Sequence, residues 1–510
     1  MSQDGRSMGR SIAALVAGGA LLGLSLSGTA AAAAPAIPWH QCDEPAQEGF
    51  QCAKIRVPLN YERPGGAKIK LALIRHRASD PGRRVRTLFY EPGGPGVPGT
   101  EFLPTLAFDG FPAVVQERFD IVSWDPRGVG ASTAVECFAS KDAEDGFFAG
   151  SPTRNVDGFP VGQDQMTTWI VRDRSFGVRC ERRDGRLLKH VSTVETVRDL
   201  NRMRRRAGER KLNYLGTSYG TIVGAVYANT FPDRVRRMVL DGVVNPTGWT
   251  HAQRARNDGR FLPGGLRFRS DEETAETLDA FLELCGSTDT AHCAFSAGSP
   301  EATKEKFAEL LTRLPVDATP DQTSYATAIS GAIRSLYFTP GWAGEAVDLQ
   351  KLWEDGPSAV PPPASRPDDQ EMAIVCGEVP SPQASAFPGI DAFARQRSGV
   401  VGPFWVWDYE PCSTWPVRSA HPYRGRFDHR TANPVLVIGN TFDPATPLRG
   451  AQAMTRALAR ARLLTVDGYG HTVLINPSSC AKQYESRYYV TGALPPKGAR
   501  CAQDAEPFGG

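Results

Sequence analysis

The chain has 510 residues, of which 41% are hydrophobic and 22% charged, and this ordinary composition excludes a disordered, collagen-like or coiled-coil protein. Its formal net charge is +2, which gives no indication of a nucleic-acid or membrane-surface partner. A chain of this length is expected to hold about three domains, or one large core with an insertion.

The N-terminus has the pattern of an export signal. Arg6 and Arg10 precede an apolar stretch over residues 12–26, and small residues follow as far as Ala34. A charged, then apolar, then small-residue order is typical of a secretory signal peptide, and the apolar stretch is short for a membrane span. We therefore predict a signal peptide over residues 1–34, an extracellular protein, and no membrane attachment after cleavage.

The ten cysteines all lie beyond this signal, and an even number in an exported chain predicts disulfides. Pairing of neighbours along the chain is the simplest arrangement because each bond then closes a short or moderate loop. These pairs are Cys42–Cys52, Cys137–Cys180, Cys285–Cys293, Cys376–Cys412 and Cys480–Cys501. The sequence contains no Cys-x-x-Cys or His-Glu-x-x-His pattern, so no metal site is predicted.

Short apolar runs alternate with glycine-rich loops and helical segments through the first half of the chain. The predicted strands are 68–76, 87–90, 119–124, 212–215 and 235–240. The loop Glu91–Gly96 follows the second of them, and Asp125–Gly130 follows the third. Helical spacing covers 192–206, and a second helix is predicted to end near Asn229. This alternation predicts a mostly parallel sheet covered by helices.

The pattern changes after about residue 245. Helices are predicted over 271–287, 300–314 and 322–356. A link rich in proline and serine follows at 357–369. Strands return at 435–438 and 462–466.

We therefore predict an α/β fold in which one core is formed by two separate parts of the chain, residues 35–245 and 401–510. A mainly helical lid, residues 246–400, is inserted between them. Such a lid is expected to lie over the carboxyl ends of the strands, where open α/β sheets place their sites.

The segment Gly216-Thr217-Ser218-Tyr219-Gly220 has the form Gly-x-Ser-x-Gly between a predicted strand and a predicted helix. A serine in this sharp turn needs small neighbours, because larger side chains would clash with the strand and the helix. The context predicts that Ser218 is a nucleophile.

A serine hydroxyl needs a base, and the base needs a carboxylate to orient it. Asp443 follows a predicted strand, and His471 lies in a loop after the next one. The chain order Ser218, Asp443, His471 is that of the α/β-hydrolase triad. Asp467 and Asp428 are the alternative acids.

The negative charge that develops on a substrate oxygen must meet fixed donors. One expected donor is the backbone N–H of Tyr219, directly after the nucleophile. The other is expected from the loop that begins at Glu91, where Pro95 has no N–H to offer. Gly94 is the first choice there and Gly93 the second.

These segments together resemble the secreted tripeptidyl aminopeptidase branch of the proline iminopeptidase-like α/β-hydrolases (peptidase family S33), over roughly residues 39–502. The matching segments are Glu91–Gly96, Asp125–Ser132, Gly216–Gly220, Cys412–Pro416, Asp443–Pro447 and Gly470–His471. The resemblance implies an α/β-hydrolase fold with a helical lid, no cofactor, and removal of short peptides, most typically tripeptides, from substrates with a free N-terminus.

An exopeptidase must hold the ammonium group of its substrate at a fixed distance from the nucleophile, and a carboxylate in a closed pocket is suited to this. Glu378 is the candidate, since it leaves the insertion beside a predicted disulfide. Tyr337 and Trp342 are expected to belong to the core of the lid.

Two other functional classes stay open. A secreted esterase or amidase that acts on a small metabolite would use the same triad. A catalytically silent binding protein on this fold is disfavoured because nucleophile, base and acid are all present. An epoxide hydrolase or dehalogenase is disfavoured, since those enzymes need an aspartate where this chain has Ser218.

Overall fold

A computed structural model describes residues 36–106, 110–149, 158–251, 259–319, 321–360 and 369–509. The predicted signal peptide and most of the predicted link at 357–369 lie outside these residues. The strands are β1 His40–Gln41, β2 Gln51–Pro58, β3 Lys68–His76, β4 Arg86–Glu91, β5 Phe119–Trp124, β6 Leu212–Thr217, β7 Val235–Asp241, β8 Val435–Phe442, β9 Ala461–Tyr469 and β10 Arg500–Ala502.

Helices connect and cover these strands. The first six are α1 Gly99–Thr105, α2 Ala113–Arg118, α3 Lys141–Ala149, α4 Gln163–Leu188, α5 Thr193–Arg206 and α6 Gly220–Thr230. The helices between β7 and β8 are α7 Pro246–Thr250, α8 Gly264–Phe268, α9 Ser270–Gly286, α10 Pro300–Arg313, α11 Tyr325–Ser335, α12 Trp342–Asp355, α13 Asp369–Glu378, α14 Phe387–Ser398 and α15 Gly402–Trp407. The last two are α16 Leu448–Ala457 and α17 Ser479–Thr491.

Within the described residues the strands form one sheet, in the order β1-β2-β3-β5-β4-β6-β7-β8-β9-β10. The strands from β5 to β10 in this order are parallel, whereas β1, β2 and β3 pair antiparallel at one edge. Every residue of β5 and β6 is buried, as is expected for strands covered on both faces. The α/β-hydrolase fold predicted from the sequence is confirmed.

Successive residues of the central strands point to two different hydrophobic layers. Leu88 and Tyr90 pack in the layer that includes α2 and α17, whereas Phe89 packs in the layer that includes α5 and α6. This alternation follows from the two-residue period of a strand. Helices on both faces bury the sheet, and the carboxyl ends of the parallel strands meet at one edge.

The helices between β7 and β8 build a third hydrophobic cluster, which includes Phe281, Ile329, Trp342 and Trp405. We call the segment from α8 to α15 the lid. Trp169 of α4 also packs in the lid cluster, whereas the C-terminal half of α4 packs in the core layer of α5 and α6. This long helix therefore connects the lid to the core. The residues of α13 pack with the core layer of α5 and α6 and not with the lid cluster.

One predicted element differs from the structure. The helix predicted over 322–356 is two helices, α11 and α12, separated by a turn that contains Pro340. Proline has no backbone N–H and clashes with the preceding turn of a helix, which explains the interruption.

The five neighbouring cysteine pairs are all bonded in the structure, so the predicted pairing is confirmed. Disulfides of this number are typical of proteins from oxidising compartments. Across the part of the chain that the structure describes, no helix combines the length and the apolar character that a membrane crossing requires.

Candidate active site

Ser218 occupies a strained turn between β6 and α6. Its φ of +55° lies in the left-handed region, which non-glycine residues rarely adopt. A Cβ atom on Gly216 would lie 2.3 Å from the carbonyl oxygen of Gly220, and one on Gly220 would lie 2.4 Å from the carbonyl oxygen of Glu91. The two glycines are therefore needed for the turn to close, and the turn holds the Ser218 side chain above the sheet edge.

His471 and Asp443 are directly bonded. The Nδ1 atom of His471 lies 2.9 Å from Oδ1 and 3.0 Å from Oδ2 of Asp443, and the carboxylate is fully buried. Asp443 also accepts the backbone N–H groups of Ala445 and Thr446, at 3.0 and 2.9 Å. The Thr446 hydroxyl donates to Asp443 Oδ2 at 2.8 Å. This carboxylate is thus fixed by its own loop before it orients the imidazole.

The loop of His471 is held from the lid side. The backbone N–H of His471 donates to the carbonyl oxygen of Tyr337 at 2.8 Å. The Tyr337 ring also lies edge-on to the imidazole, with 5.2 Å between the centroids. Asn476 Nδ2 donates to the carbonyl oxygens of both His471 and Tyr337, at 2.9 Å each. Tyr337, expected to be only a core residue of the lid, therefore contacts the base directly.

The pKa of the His471 imidazole is raised above its ordinary value. Burial opposes protonation, but the charge of Asp443, its hydrogen bond and the charge of Asp241 outweigh that effect. Since Nδ1 faces Asp443, Nε2 is the nitrogen that is free to take a proton from a hydroxyl.

Ser218, Asp443 and His471 follow the carboxyl ends of β6, β8 and β9, which lie on one edge of the sheet. The end of β7 lies against both the nucleophile turn and the imidazole of His471. The backbone N–H of Ser218 donates to the carbonyl oxygen of Asp241 at 3.0 Å. A Cβ atom on the next residue, Gly242, would lie 3.1 Å from Cε1 of His471.

The glycine loop after β4 passes directly beside the nucleophile. A Cβ atom on Gly93 would lie 2.8 Å from Cβ of Ser218 and 3.1 Å from the backbone nitrogen of Tyr219. Gly93 and Gly94 have φ values of +104° and +93°, so this loop requires glycine at both positions. The Gly93–Gly94 loop thus packs directly against Ser218 and the backbone nitrogen of Tyr219.

Glu378 does not lie where a substrate could reach it. Its carboxylate is 2% exposed and accepts the backbone N–H of Thr193 at 2.9 Å and the Thr193 hydroxyl at 2.5 Å. Trp249 Nε1 donates to the same group at 3.4 Å. The Thr193 hydroxyl also bonds the Tyr219 hydroxyl at 2.8 Å, which places Glu378 behind the nucleophile turn. The expectation that Glu378 holds the substrate amine does not fit this position.

Trp342 is buried in the lid as expected, with no exposed surface and its ring 5.3 Å from that of Phe281. Asp241, Thr446 and Asp408 were not predicted from the sequence. Asp241 and Thr446 bond the catalytic loops, and Asp408 follows α15 with an exposed side chain. Neither Asp241 nor Asp408 belongs to a sequence motif.

Comparison with known proteins agrees with this geometry. Residues 87–360 match the family described as alpha/beta hydrolase fold, and residues 398–501 match the family described as TAP-like protein. The chain is 32% identical to the serine protease Hip1 of Mycobacterium tuberculosis, over 89% of this chain and 87% of that protein.

Two further relatives are each 30% identical to the chain. They are the tripeptidyl aminopeptidase of Streptomyces coelicolor, over 94% of this chain and 88% of that protein, and carboxylesterase B of M. tuberculosis, over 92% and 90%. The fold, the bonded acid–base pair and these matches lead to one conclusion: the chain is a hydrolase that belongs to the α/β-hydrolase fold family and carries a TAP-like C-terminal segment.

Proposed function

We propose that this hydrolase is a secreted serine exopeptidase that releases short peptides, most typically tripeptides, from free N-termini through an acyl-enzyme. The observation that carries the proposal is the His471–Asp443 pair, at 2.9 Å, on the same sheet edge as a serine in a strained turn. The names of two relatives, a serine protease and a tripeptidyl aminopeptidase, support a peptide as the substrate.

The mechanism follows from the positions of the atoms. His471 Nε2 accepts the proton of the Ser218 hydroxyl while Oγ attacks the scissile carbonyl carbon. The N–H groups of Tyr219 and Gly94 stabilise the resulting oxyanion, with Gly93 as the alternative to Gly94. His471 then gives the proton to the leaving amine, and the acyl group stays on Ser218. A water molecule, activated by the same imidazole, hydrolyses the ester and restores the serine.

Gly94 is preferred over Gly93 because the Gly93 N–H has another acceptor nearby. The Glu91 carboxyl is fully buried, and burial raises its pKa well above the ordinary value. The backbone N–H of Gly93 opposes this shift, although neither Glu91 carboxyl oxygen has a hydrogen-bond partner among the described residues. The next N–H in the loop, that of Gly94, is then the one available to a substrate oxygen.

Asp408 takes the place of Glu378 as the proposed partner of the substrate ammonium. Its side chain is exposed, although the protein around it is dense enough that burial raises its pKa to about 6. Burial is the largest cause of the raised pKa of Tyr337, whose ring contacts His471, and the negative charge of Asp408 is the second largest. Asp408 thus has an exposed side chain and lies within electrostatic range of Tyr337, with Arg334 as the cation that already interacts with it.

Peptidyl-anilide substrates test the exopeptidase proposal. We expect cleavage of free tripeptidyl anilides and loss of cleavage when the N-terminus is acetylated. Asp408→Asn should raise KM for the free substrate at least about tenfold, since a charged hydrogen bond contributes about 1.5–3 kcal/mol. Glu283→Gln, on the exposed surface of α9, is the matched control and should leave KM unchanged. Equal cleavage of acetylated and free substrates would contradict the proposal.

Secretion needs a separate measurement. N-terminal sequencing of the protein from culture medium should give a first residue close to position 35. An unprocessed N-terminus, or a protein found only inside the cells, would contradict export.

The alternative is a secreted esterase or amidase that acts on a small metabolite with the same triad. The chain is 30% identical to carboxylesterase B over 92% of its length, and this similarity supports the esterase alternative. This alternative predicts faster turnover of short acyl esters than of any peptide with a free amine. A higher kcat/KM for a tripeptidyl anilide than for a short acyl ester would exclude it.

A further inference from the structure

Asp241 lies at the carboxyl end of β7, between the strand that carries the nucleophile and the strand that carries the acid. Its backbone carbonyl oxygen accepts the N–H of Ser218 at 3.0 Å. Its side-chain Oδ2 accepts the N–H groups of Val473 and Leu474, at 2.9 and 3.2 Å. One residue therefore bonds both the nucleophile turn and the loop of the base.

The loop that Asp241 holds is tightly constrained. Thr472, the residue after the base, has a φ of +66°, a strained value for a residue with a branched side chain. A Cβ atom on Gly242 would lie 2.5 Å from Cγ2 of Thr472. The absence of a side chain at Gly242 therefore lets Thr472 pack against the end of β7, and the bonds to Asp241 hold the loop there.

We propose that Asp241 is a positioning residue: through its two bonds to the base loop it sets the distance between the imidazole of His471 and the hydroxyl of Ser218. Asp443 has a different task, because it bonds the imidazole ring itself and fixes the tautomer. Asp241 acts on the backbone that carries the ring. The proposal rests on Ser218 as the nucleophile and His471 as the base of the proposed function, and it holds for a peptide or an ester substrate.

The surroundings of Asp241 make its charge relevant as well. The carboxylate is 1% exposed, and its Oδ1 has no hydrogen-bond partner within the described residues. The titratable groups that interact with it are Tyr90, Asp443, His471, Glu485 and Tyr489. Burial raises the pKa of Asp241 to about 7, although the N–H donors and the charge of His471 lower it. The negative charge of Asp241 in turn raises the pKa of His471.

The test is the rate at which a fluorophosphonate labels Ser218, a reaction that does not depend on the natural substrate. Asp241→Asn keeps the shape and an acceptor oxygen but removes the charge, and its new NH₂ group must occupy a buried site without a partner. We expect labelling to slow about tenfold to hundredfold, as for a displacement of a reacting group by a fraction of an ångström. Glu485→Gln is the matched control, because Glu485 is also buried but makes no bond to the base loop; its rate should stay within about twofold of the wild-type rate.

Two further measurements separate positioning from general damage to the fold. The acid limb of the pH dependence of labelling should move to lower pH in Asp241→Asn, since a negative charge near His471 is lost. In a His471→Ala background, Asp241→Asn should have no further effect, because its action runs through the base. An unchanged acid limb, a labelling rate within twofold of wild type, or the same loss in both backgrounds would overturn the proposal.

Hydrogen exchange of the wild-type protein provides a test that needs no variant. The N–H groups of Val473 and Leu474 lie in a loop, and protection of both is expected from their bonds to Asp241. Rapid exchange at both amides would overturn the proposal even if Asp241→Asn did not fold. Failure of the wild-type protein to react with the fluorophosphonate would overturn both this proposal and the proposed function, whereas loss of peptidase activity alone would affect only the latter.

Discussion

The core and the lid contribute to the site in different ways. The core supplies Ser218, Asp443 and His471 at the ends of three strands, so that the backbone of the sheet sets their positions. The lid instead holds the loops of the acid and the base. Ser270 and Thr274 of α9 donate to the carbonyl oxygens of Ala445 and Pro444, at 2.6 and 2.8 Å.

The lid also accepts the backbone N–H of His471 through the carbonyl oxygen of Tyr337. Acid and base are thus supported from both sides, whereas the nucleophile turn is bonded by the core alone among the contacts described above. The lid therefore helps to orient the imidazole and does not serve only as a cover over the substrate. The following predictions test how far core and lid can be separated.

The largest effect is expected in the core. Ser218→Ala and His471→Ala should each lower kcat at least about 10⁴-fold, because the nucleophile and the base act as a unit. Val347→Ala, on an exposed part of the lid helix α12, is the control and should leave kcat unchanged. A kcat near the wild-type value in either core variant would remove that residue from the mechanism.

Trp342→Ala tests whether the lid unfolds with the core. The side chain is fully buried, and its ring lies 5.5 Å from Tyr469 of β9 and 5.3 Å from Phe281 of the lid. We expect the free energy of unfolding to fall by about 3–5 kcal/mol, in a single transition observed by calorimetry. A second transition at lower temperature would show that the lid melts by itself and would contradict the coupling.

The pH dependence tests the environment that core and lid create around the base. The imidazole must be neutral to accept a proton, and its pKa is raised above the ordinary value of about 6.5. We therefore expect kcat/KM to fall about tenfold per pH unit below that raised pKa. Asp443→Asn should move the acid limb to lower pH, and an unchanged rate at pH 5 in the wild-type enzyme would contradict His471 as the base.

The smallest effect is expected at Glu485, in the core helix α17. Burial, assisted by the charge of Asp241, raises its pKa to about 8. The folded protein therefore keeps a proton that the unfolded chain loses above its ordinary pKa, and stability falls as the pH rises toward 8. Glu485→Gln removes this dependence, so the variant should be stabilised relative to the wild-type protein more at pH 8 than at pH 5. Chemical denaturation at pH 5 and pH 8 measures it; an equal effect at both values would contradict the shifted pKa.

The core could be predicted from the sequence because its signals are local. Each predicted strand is a short segment that is either mainly apolar, as in the buried strands β5 and β6, or alternating, as over residues 68–76. The nucleophile turn depends on glycines two residues before and after Ser218, so the sequence motif contains all the residues that the geometry of the turn requires. The chain order of acid and base then followed from the fold.

The rest depends on packing between distant segments. Glu378 has the residue type for amine binding, but Thr193 and Trp249 occupy its oxygens, and they lie far away in the chain. Asp241 follows a strand like many other aspartates, and only the path of the base loop gives it two donors. The long helix α4 was not predicted because charged side chains obscure its apolar positions, such as Trp169 and Phe176, seven residues apart.

The bond between the His471 N–H and the Tyr337 carbonyl oxygen has a consequence for turnover. Any opening of the lid that carried residue 337 away would break the support of the imidazole, so an enzyme with that segment raised would be inactive. The chemical step therefore requires this joint to be closed.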